Sequence, residues 1–76
     1  MEFSYESMGK VIRRLRKERN LSQDVLSGLA DIARSHLSMI ENGSIHANIG
    51  TVWKISEALE LKPSELFALI EEEIEK

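Results

Sequence analysis

The side chains best able to make chemical contacts lie on one short predicted helix that ends near Asn42. At 100° per residue, Leu37 and Ile40 fall together on one side of this helix. The opposite side carries Arg34, Ser35, Ser38 and Met39. Guanidinium and hydroxyl donors suit base edges in the major groove of DNA, while Met39 suits either a thymine methyl group or the edge of the core. An ordinary amphipathic helix has the same pattern, so this helix alone leaves both interpretations open.

Another short helix precedes this one, and a tight turn joins the two. Ser22 is a suitable N-cap for the earlier helix, whose buried face is predicted to hold Leu26, Leu29 and Ala30. Asp31 interrupts the apolar pattern, and aspartate tolerates the left-handed conformation better than most residues. The later helix runs from about Ala33 to Asn42 and stops at a glycine, which is favoured after a helix C-terminus. Residues 22–43 therefore predict a helix-turn-helix.

Charge is distributed unevenly along the chain. The formal net charge is −3, whereas DNA-binding domains are usually basic. Residues 10–34, however, contain seven basic and three acidic residues, and residues 57–76 contain seven glutamates and two lysines. The resulting net charges of +4 and −5 associate the basic half of the molecule with the helix-turn-helix. This pattern fits a protein that turns one face toward phosphate and the other face away.

A longer helix is predicted from about Ser7 to Arg19. Its apolar stripe consists of Met8, Val11, Ile12 and Leu15. The outer face is basic, and such a face is usually only solvated; phosphate contact is the alternative for Arg13, Arg14 and Lys17. Arg16 differs because it lies at the edge of the apolar stripe. Glu41 borders the apolar side of its own helix, so a structural ion pair between them would leave neither charge half-buried and alone.

Two further helices complete an all-α fold of five helices. Asn48 is a suitable N-cap for a helix to about Glu60, with an apolar side of Ile49, Val52, Ile55 and Leu59. Pro63 favours the start of a last helix, whose apolar face is Leu66, Phe67, Ile70 and Ile74. The glutamates near its end oppose the helix dipole and predict fraying. Residues 1–6 show no pattern and are interpreted as a loose arm or a first turn. We expect one compact domain over residues 1–76.

Several classes of function lack support in the sequence. The chain has no cysteine, and its two histidines, His36 and His46, have no obvious third ligand for a metal. No apolar run approaches the ~20 residues needed to span a bilayer, and the N-terminus lacks the apolar segment of a signal peptide. No phosphate-cradling glycine loop and no Ser/His/Asp set is present. We therefore expect a cytoplasmic protein with no cofactor, no metal, no membrane contact and no enzymatic activity.

A longer ordered pattern adds to these local observations. It reads L-S-Q-x₂-L-x₃-A-x-I-x₄-L-S-x-I-E-N-G, and it is accompanied by Ile12-Arg13-Arg14-Leu15-Arg16, Ala58-Leu59 and Leu66-Phe67. Across residues 8–67 the chain thus resembles the lambda-repressor-like, Cro/C1-type (XRE) helix-turn-helix family. Its short length and acidic last helix are most similar to the restriction–modification controller proteins, which are small dimeric regulators of that family.

The resemblance implies a role for each matching position. Base contacts would come from Arg34, Ser35, Ser38 and Met39. Gln23 would bond a phosphate and brace the recognition helix. Further phosphate contacts, partly through backbone N–H groups, would come from Asn42, Gly43, Ser44 and His46. Arg16 and Glu41 match a pair that often forms the internal ion pair inferred above from helical geometry.

Two positions depart from the family pattern. Asp31 stands where the turn usually has glycine, which implies some backbone strain. Ala33 stands where the recognition helix usually opens with Ser or Thr, so it lacks a capping oxygen. Asp31 is a candidate substitute cap, and this leaves the start of the recognition helix open.

The leading hypothesis is a sequence-specific transcriptional regulator that binds double-stranded DNA as a homodimer. One small module makes too few contacts for tight specific binding, so two copies on a pseudo-palindromic operator are expected. Candidate dimer contacts are Trp53 and Leu69 on the last two helices, and ordinary core packing is an equal alternative for Trp53. An antitoxin or other protein-interaction module on the same scaffold is the second hypothesis.

Overall fold

The computed structural model describes residues 1–76 and contains five α-helices and no strand. The helices are α1 (Tyr5–Glu18), α2 (Gln23–Ala30), α3 (Arg34–Glu41), α4 (Ile49–Ala58) and α5 (Pro63–Ile74). The all-α fold with five helices predicted from the sequence is confirmed. None of the helices is long and apolar enough to cross a membrane.

The helices pack in a cyclic order, in which each one lies chiefly against two others. The order is α1, α3, α2, α4, α5 and back to α1. Fourteen buried apolar residues fill the centre, and every helix or its flanking cap contributes at least two of them. The helix-turn-helix helix α3 packs on α1 and α2, while the glutamate-rich α5 packs on α1 and α4, so the basic α1 lies between α3 and the acidic α5.

The first helix begins earlier than the sequence pattern predicts. Ser4, not Ser7, is the N-cap, and its hydroxyl oxygen accepts a hydrogen bond from the Ser7 backbone N–H at 3.0 Å. Tyr5 therefore belongs to the helix, and its ring meets Phe3 edge-on with 4.8 Å between ring centroids. The apolar periodicity starts only at Met8, so it gave no signal for the first turn.

One leucine and one isoleucine that were predicted on buried helix faces are exposed instead. Leu29 of α2 is 61% exposed, and Ile49 in the first turn of α4 is 65% exposed. An eight-residue helix has room for only a narrow contact, and α2 uses Leu26 and Ala30, which are spaced i, i+4, to make it. In α4 the inward side begins one turn later, at Val52.

A glycine lets α1 approach the end of α3 closely. Gly9 is buried, and a Cβ atom at this position would overlap the carbonyl oxygens of Ile40 and Glu41. Since any larger residue would push the two helices apart, Gly9 fixes the distance across which the α1 side chains reach α3.

Candidate nucleic-acid interface

The turn between α2 and α3 is built as the sequence predicts. The Ser22 hydroxyl accepts a hydrogen bond from the Val25 N–H at 3.1 Å and caps α2. At the other end, Asp31 adopts the left-handed conformation, with φ 56° and ψ 48°. The Asp31 and Ile32 N–H groups bond the carbonyls of α2 at 3.2 and 3.0 Å, so they satisfy the end of that helix and reverse the chain direction.

The recognition helix α3 starts without a side-chain cap. Ala33 is the N-cap, with extended backbone angles and no side-chain hydrogen bond. Asp31 closes α2 instead, so its predicted role as a substitute cap for α3 is wrong. Asp31 lies two residues before the N-cap Ala33, and as the left-handed C-cap of α2 its backbone bonds that helix.

The predicted base-reading side chains share the outer face of α3. Leu37 and Ile40 are completely buried and dock this short helix on the core. Away from the core, Arg34, Ser35 and Met39 are exposed and Ser38 is half-buried. The exposed surface therefore begins at the first turn of the helix, where a helix entering a major groove contacts bases.

The predicted ion pair between Arg16 and Glu41 is present and buried. Arg16 Nε donates to Glu41 Oε2 at 2.7 Å, and Arg16 Nη2 donates to Glu41 Oε1 at 2.9 Å. Arg16 Nη1 also donates to the Leu21 carbonyl at 2.9 Å. No buried side-chain nitrogen or oxygen in the protein lacks a hydrogen-bond partner. The hydrogen bond to Glu41 raises the pKa of the Arg16 guanidinium above its ordinary value, so Arg16 remains charged.

Gln23 extends this network from α2. Its Nε2 atom donates to Glu41 Oε1 at 3.1 Å, so α1 and α2 both hold the C-terminal end of α3 through one carboxylate. The amide nitrogen carries two N–H donors, and the second remains for a further acceptor. Gln23 thus braces α3, as the family resemblance implies.

Arg34 is held by a residue that the sequence analysis did not single out. Its Nε atom lies 3.1 Å from Asp24 Oδ1, in the first turn of α2. The pair is open to solvent, with side-chain exposures of 63% for Arg34 and 79% for Asp24. Only the packing of α2 on α3 brings the two residues together, so spacing along the chain gave no signal for this contact.

The basic residues of α1 do not all face the same way. Gly9, Arg13 and Arg16 are spaced i, i+4 and i+7, so Arg13 lies on the side of α1 that faces α3. Arg14 lies on the side that faces α5, where its Nη1 atom is 3.1 Å from Glu73 Oε1. The structure therefore does not bring Arg14 to the surface that carries Arg34. Lys17 is exposed.

Glu73 holds a second cation as well as Arg14. Lys76 Nζ lies 3.2 Å from the same carboxylate oxygen. The hydrogen bond from Lys76 lowers the pKa of Glu73 below its ordinary value, and the Arg14 guanidinium contributes to the same effect. This contact also gives the end of α5 a partner on α1, and α5 continues to Ile74 despite its run of glutamates.

The loop after α3 uses its backbone donors within the protein. The N–H groups of Asn42, Gly43 and Ser44 bond carbonyls of α3 at 3.1, 3.1 and 3.0 Å. Gly43 has a φ of 72° and packs on the backbone of Glu6. The Gly43 and Ser44 N–H donors thus already complete the helix end, and phosphate contact by these two residues stays a prediction. The exposed Asn42 side chain has no such constraint.

His46 takes part in an aromatic contact. Its ring stacks on Tyr5 with 4.1 Å between centroids and 6° between planes. This stack ties the first turn of α1 to the loop after α3. The structure places no group of three or more His, Asp or Glu residues where they could hold a metal ion.

Comparison with known proteins agrees with this arrangement. A family profile described as Helix-turn-helix (HTH_3) matches residues 12–66. Control protein C.MunI from Mycoplasma sp is 39% identical over 66 residues, which cover 86% of this chain and 89% of that protein. Control protein C.BamHI from Bacillus amyloliquefaciens is 34% identical over 59 residues, which cover 76% of this chain and 73% of that protein.

Solved structures are similar over the same region. The restriction–modification controller protein C.AhdI from Aeromonas hydrophila has a TM-score of 0.80 and 32% identity, covering 83% of this chain and 96% of that one. The C.Esp1396I controller tetramer, in complex with its natural 35 base-pair operator, has a TM-score of 0.91 and 26% identity over 100% of both chains. The profile match, the curated relatives and the shared fold give one answer: the chain belongs to the Cro/C1-type (XRE) helix-turn-helix family.

Proposed function

We propose that this protein is a sequence-specific DNA-binding transcriptional regulator that acts as a homodimer, in the cytoplasm, by binding and not by catalysis. The observation that carries the proposal is the outer face of α3. It presents Arg34, Ser35 and Met39 to solvent. Behind it, the buried Arg16–Glu41 pair and Gln23 fix the end of the helix. Fixed donors on an exposed helix are what direct readout of base edges requires.

The contacts divide by chemistry into reading and positioning. Base readout is assigned to Arg34, Ser35, Ser38 and Met39. Phosphate contact is assigned to the second N–H of the Gln23 amide and to two exposed cations of α1, Arg13 and Lys17. It is also assigned to the side chains of Asn42 and His46 after α3. Phosphate contacts fix the register of the protein on the duplex without reading sequence.

An exposed apolar surface on α4 supports the dimer. Trp53 is 53% exposed and follows Ile49 by one turn on the same side of the helix. Core packing is therefore not the role of Trp53. Ile49 also borders an apolar cleft of about 220 Å³, lined by Phe3, Tyr5, Met8, Ala47, Ile49, Val52 and Phe67. A surface of this kind on so small a domain is expected to be covered by another protein.

Leu69 has a different environment from Trp53. It is partly buried and packs against the core, so only part of its side chain is free for a second copy. The dimer proposal is therefore centred on Ile49 and Trp53 of α4.

Similarity to control proteins of restriction–modification systems narrows the proposal. C.AhdI and C.Esp1396I carry that description, C.MunI and C.BamHI are described as control proteins, and C.Esp1396I binds a 35 base-pair operator as a tetramer. We propose the same regulatory role here, on an operator whose sequence is to be found by selection with this protein.

The test is binding of the purified protein to a pool of randomised duplexes over a range of salt concentrations, followed by selection and sequencing. The expected result is a pseudo-palindromic motif, with an affinity that falls steeply as salt rises. Sedimentation on the selected duplex should give two copies or more per site. Absence of binding at low salt would refute the proposal and favour a protein-interaction module such as an antitoxin.

A further inference from the structure

Two neighbouring side chains in the first turn of α2 contact α3. Gln23 reaches Glu41 at the end of α3, and Asp24 reaches Arg34 at its start. Gln23 joins a buried network, which explains its position. Asp24 does not, because its side chain is 79% exposed and its contact is with a residue on the outer face.

The ordinary role for Asp24 is a favourable interaction with the positive end of the α2 dipole. Glu6 is a suitable comparison, because it is the second residue of α1 after the N-cap Ser4, just as Asp24 is the second residue of α2. It shows whether a carboxylate in this role needs a cationic partner. Glu6 takes part in none of the four ion pairs of the protein. A carboxylate at this position thus serves the dipole without a guanidinium, and the Asp24–Arg34 contact calls for a separate reason.

The geometry of the guanidinium supplies that reason. Arginine can present two parallel N–H donors from its side edge, which includes Nε, or from its end edge, which has only the Nη atoms. Asp24 Oδ1 lies 3.1 Å from Nε as an ion pair, so the negative charge sits at the Nε end of the guanidinium. The end edge is left, and its two donors match the O6 and N7 acceptors of guanine.

We propose that Asp24 is a positioning residue for base selectivity, whose charge holds the Nε end of Arg34 beside α2 so that the end edge of the guanidinium is offered to DNA. The inference rests on the proposed function. A carboxylate at this surface also repels phosphate, so it lowers affinity for every duplex. Its benefit is a larger ratio of specific to non-specific binding. Both effects follow from one side chain and can be measured separately.

The experiment compares Asp24→Asn with the parent protein, and uses Glu6→Gln as the control for a lost carboxylate at the same helical position. Each protein is titrated with its selected duplex, with that duplex altered at the base pair read by Arg34, and with random duplex. Asp24→Asn should raise affinity for random duplex by about three- to tenfold at 0.1 M salt. Its preference for the correct base pair should fall by about fivefold or more. Glu6→Gln should leave that preference unchanged.

Two further variants separate orientation from simple charge. In an Arg34→Ala background, Asp24→Asn should still raise affinity for random duplex but should no longer change base preference. Asp24→Glu should retain part of the preference, because a carboxylate can still reach Nε. In NMR spectra of the free protein, the Arg34 Nε–Hε resonance should move in Asp24→Asn and stay in place in Glu6→Gln.

Failure of the inference can be distinguished from failure of the proposed function. A parent protein that selects no motif refutes the function and this inference with it. A parent that selects a motif which Asp24→Asn leaves equally sharp refutes the inference alone. In that case Asp24 only repels phosphate, and affinity for all duplexes rises by one common factor.

Discussion

The Arg16 guanidinium and the Glu41 carboxylate form two parallel hydrogen bonds, at 2.7 and 2.9 Å, which join α1 to the last turn of α3. This contact fixes an eight-residue helix that only two apolar side chains dock on the core. The exposed outer face of α3 therefore depends on the buried end of the same helix, because its side chains can read bases only if the helix is held rigidly.

Replacing Glu41 with alanine should leave Arg16 buried with no counter-charge and cost about 3–5 kcal/mol of unfolding free energy. Chemical denaturation measures this loss. The double replacement Arg16→Met with Glu41→Leu should recover much of it, because two apolar residues restore packing without a lone charge. A Glu41→Ala protein as stable as the parent would contradict the importance of the pair.

Asp31→Gly should increase the unfolding free energy by about 0.5 kcal/mol. Asp31 holds a φ of 56°, which costs an L-residue more than it costs glycine. Part of that gain is offset by the larger conformational entropy of glycine in the unfolded chain. Glu60→Gly, at the end of α4 with a φ of 60°, should act in the same direction. Thermal denaturation of both variants is the measurement, and a less stable Asp31→Gly protein would mean that the aspartate side chain stabilises the turn.

Ile49→Glu should convert the dimer to a folded monomer that binds the operator far more weakly. Leu29→Glu is the matched control, because Leu29 has nearly the same exposure and lies on α2. Sedimentation and circular dichroism report assembly and folding separately. Leu69→Glu is a poorer test, since Leu69 packs against the core and its replacement also disturbs folding. An Ile49→Glu protein that remains dimeric would place the interface on another surface.

Arg34→Ala should cost about 1–3 kcal/mol of binding free energy on the selected operator, and it should relax selectivity at one base pair in each half-site. Gln23→Ala should weaken binding to all sequences alike, because its target is phosphate. Selection from randomised duplexes distinguishes the two effects. If Arg34→Ala keeps the motif while affinity falls, Arg34 contacts phosphate, and Ser35 or Ser38 becomes the better candidate for readout.

Arg13→Ala should reduce the slope of log affinity against log salt by about one unit, whereas Arg14→Ala should change it little. The two residues are adjacent in sequence, but only Arg14 is paired, with Glu73 on α5. Because the pKa of Glu73 is lowered, the pairing persists at neutral pH and is lost only as the pH falls below the ordinary carboxylate range. Equal slopes for the two variants would show that DNA competes successfully for Arg14.

The positions of the helices along the chain can be predicted from the sequence. Caps such as Ser22 and Asn48 and the apolar spacing of α1 locate the elements, because they depend on contacts within one or two turns. The ion pair of Arg16 with Glu41 was also predictable, because each residue borders the apolar side of its helix and a buried charge needs a partner.

The choice of partner among exposed charges was decided only by the tertiary structure. Arg13 and Arg14 are alike in the sequence, yet the packing of α1 between α3 and α5 directs one toward the recognition helix and the other to Glu73. The Asp24–Arg34 contact and the exposure of Ile49 and Trp53 have the same origin. A sequence pattern defines which side of a helix is apolar, but the neighbour on each remaining side depends on how the helices pack, and that is a property of the whole core.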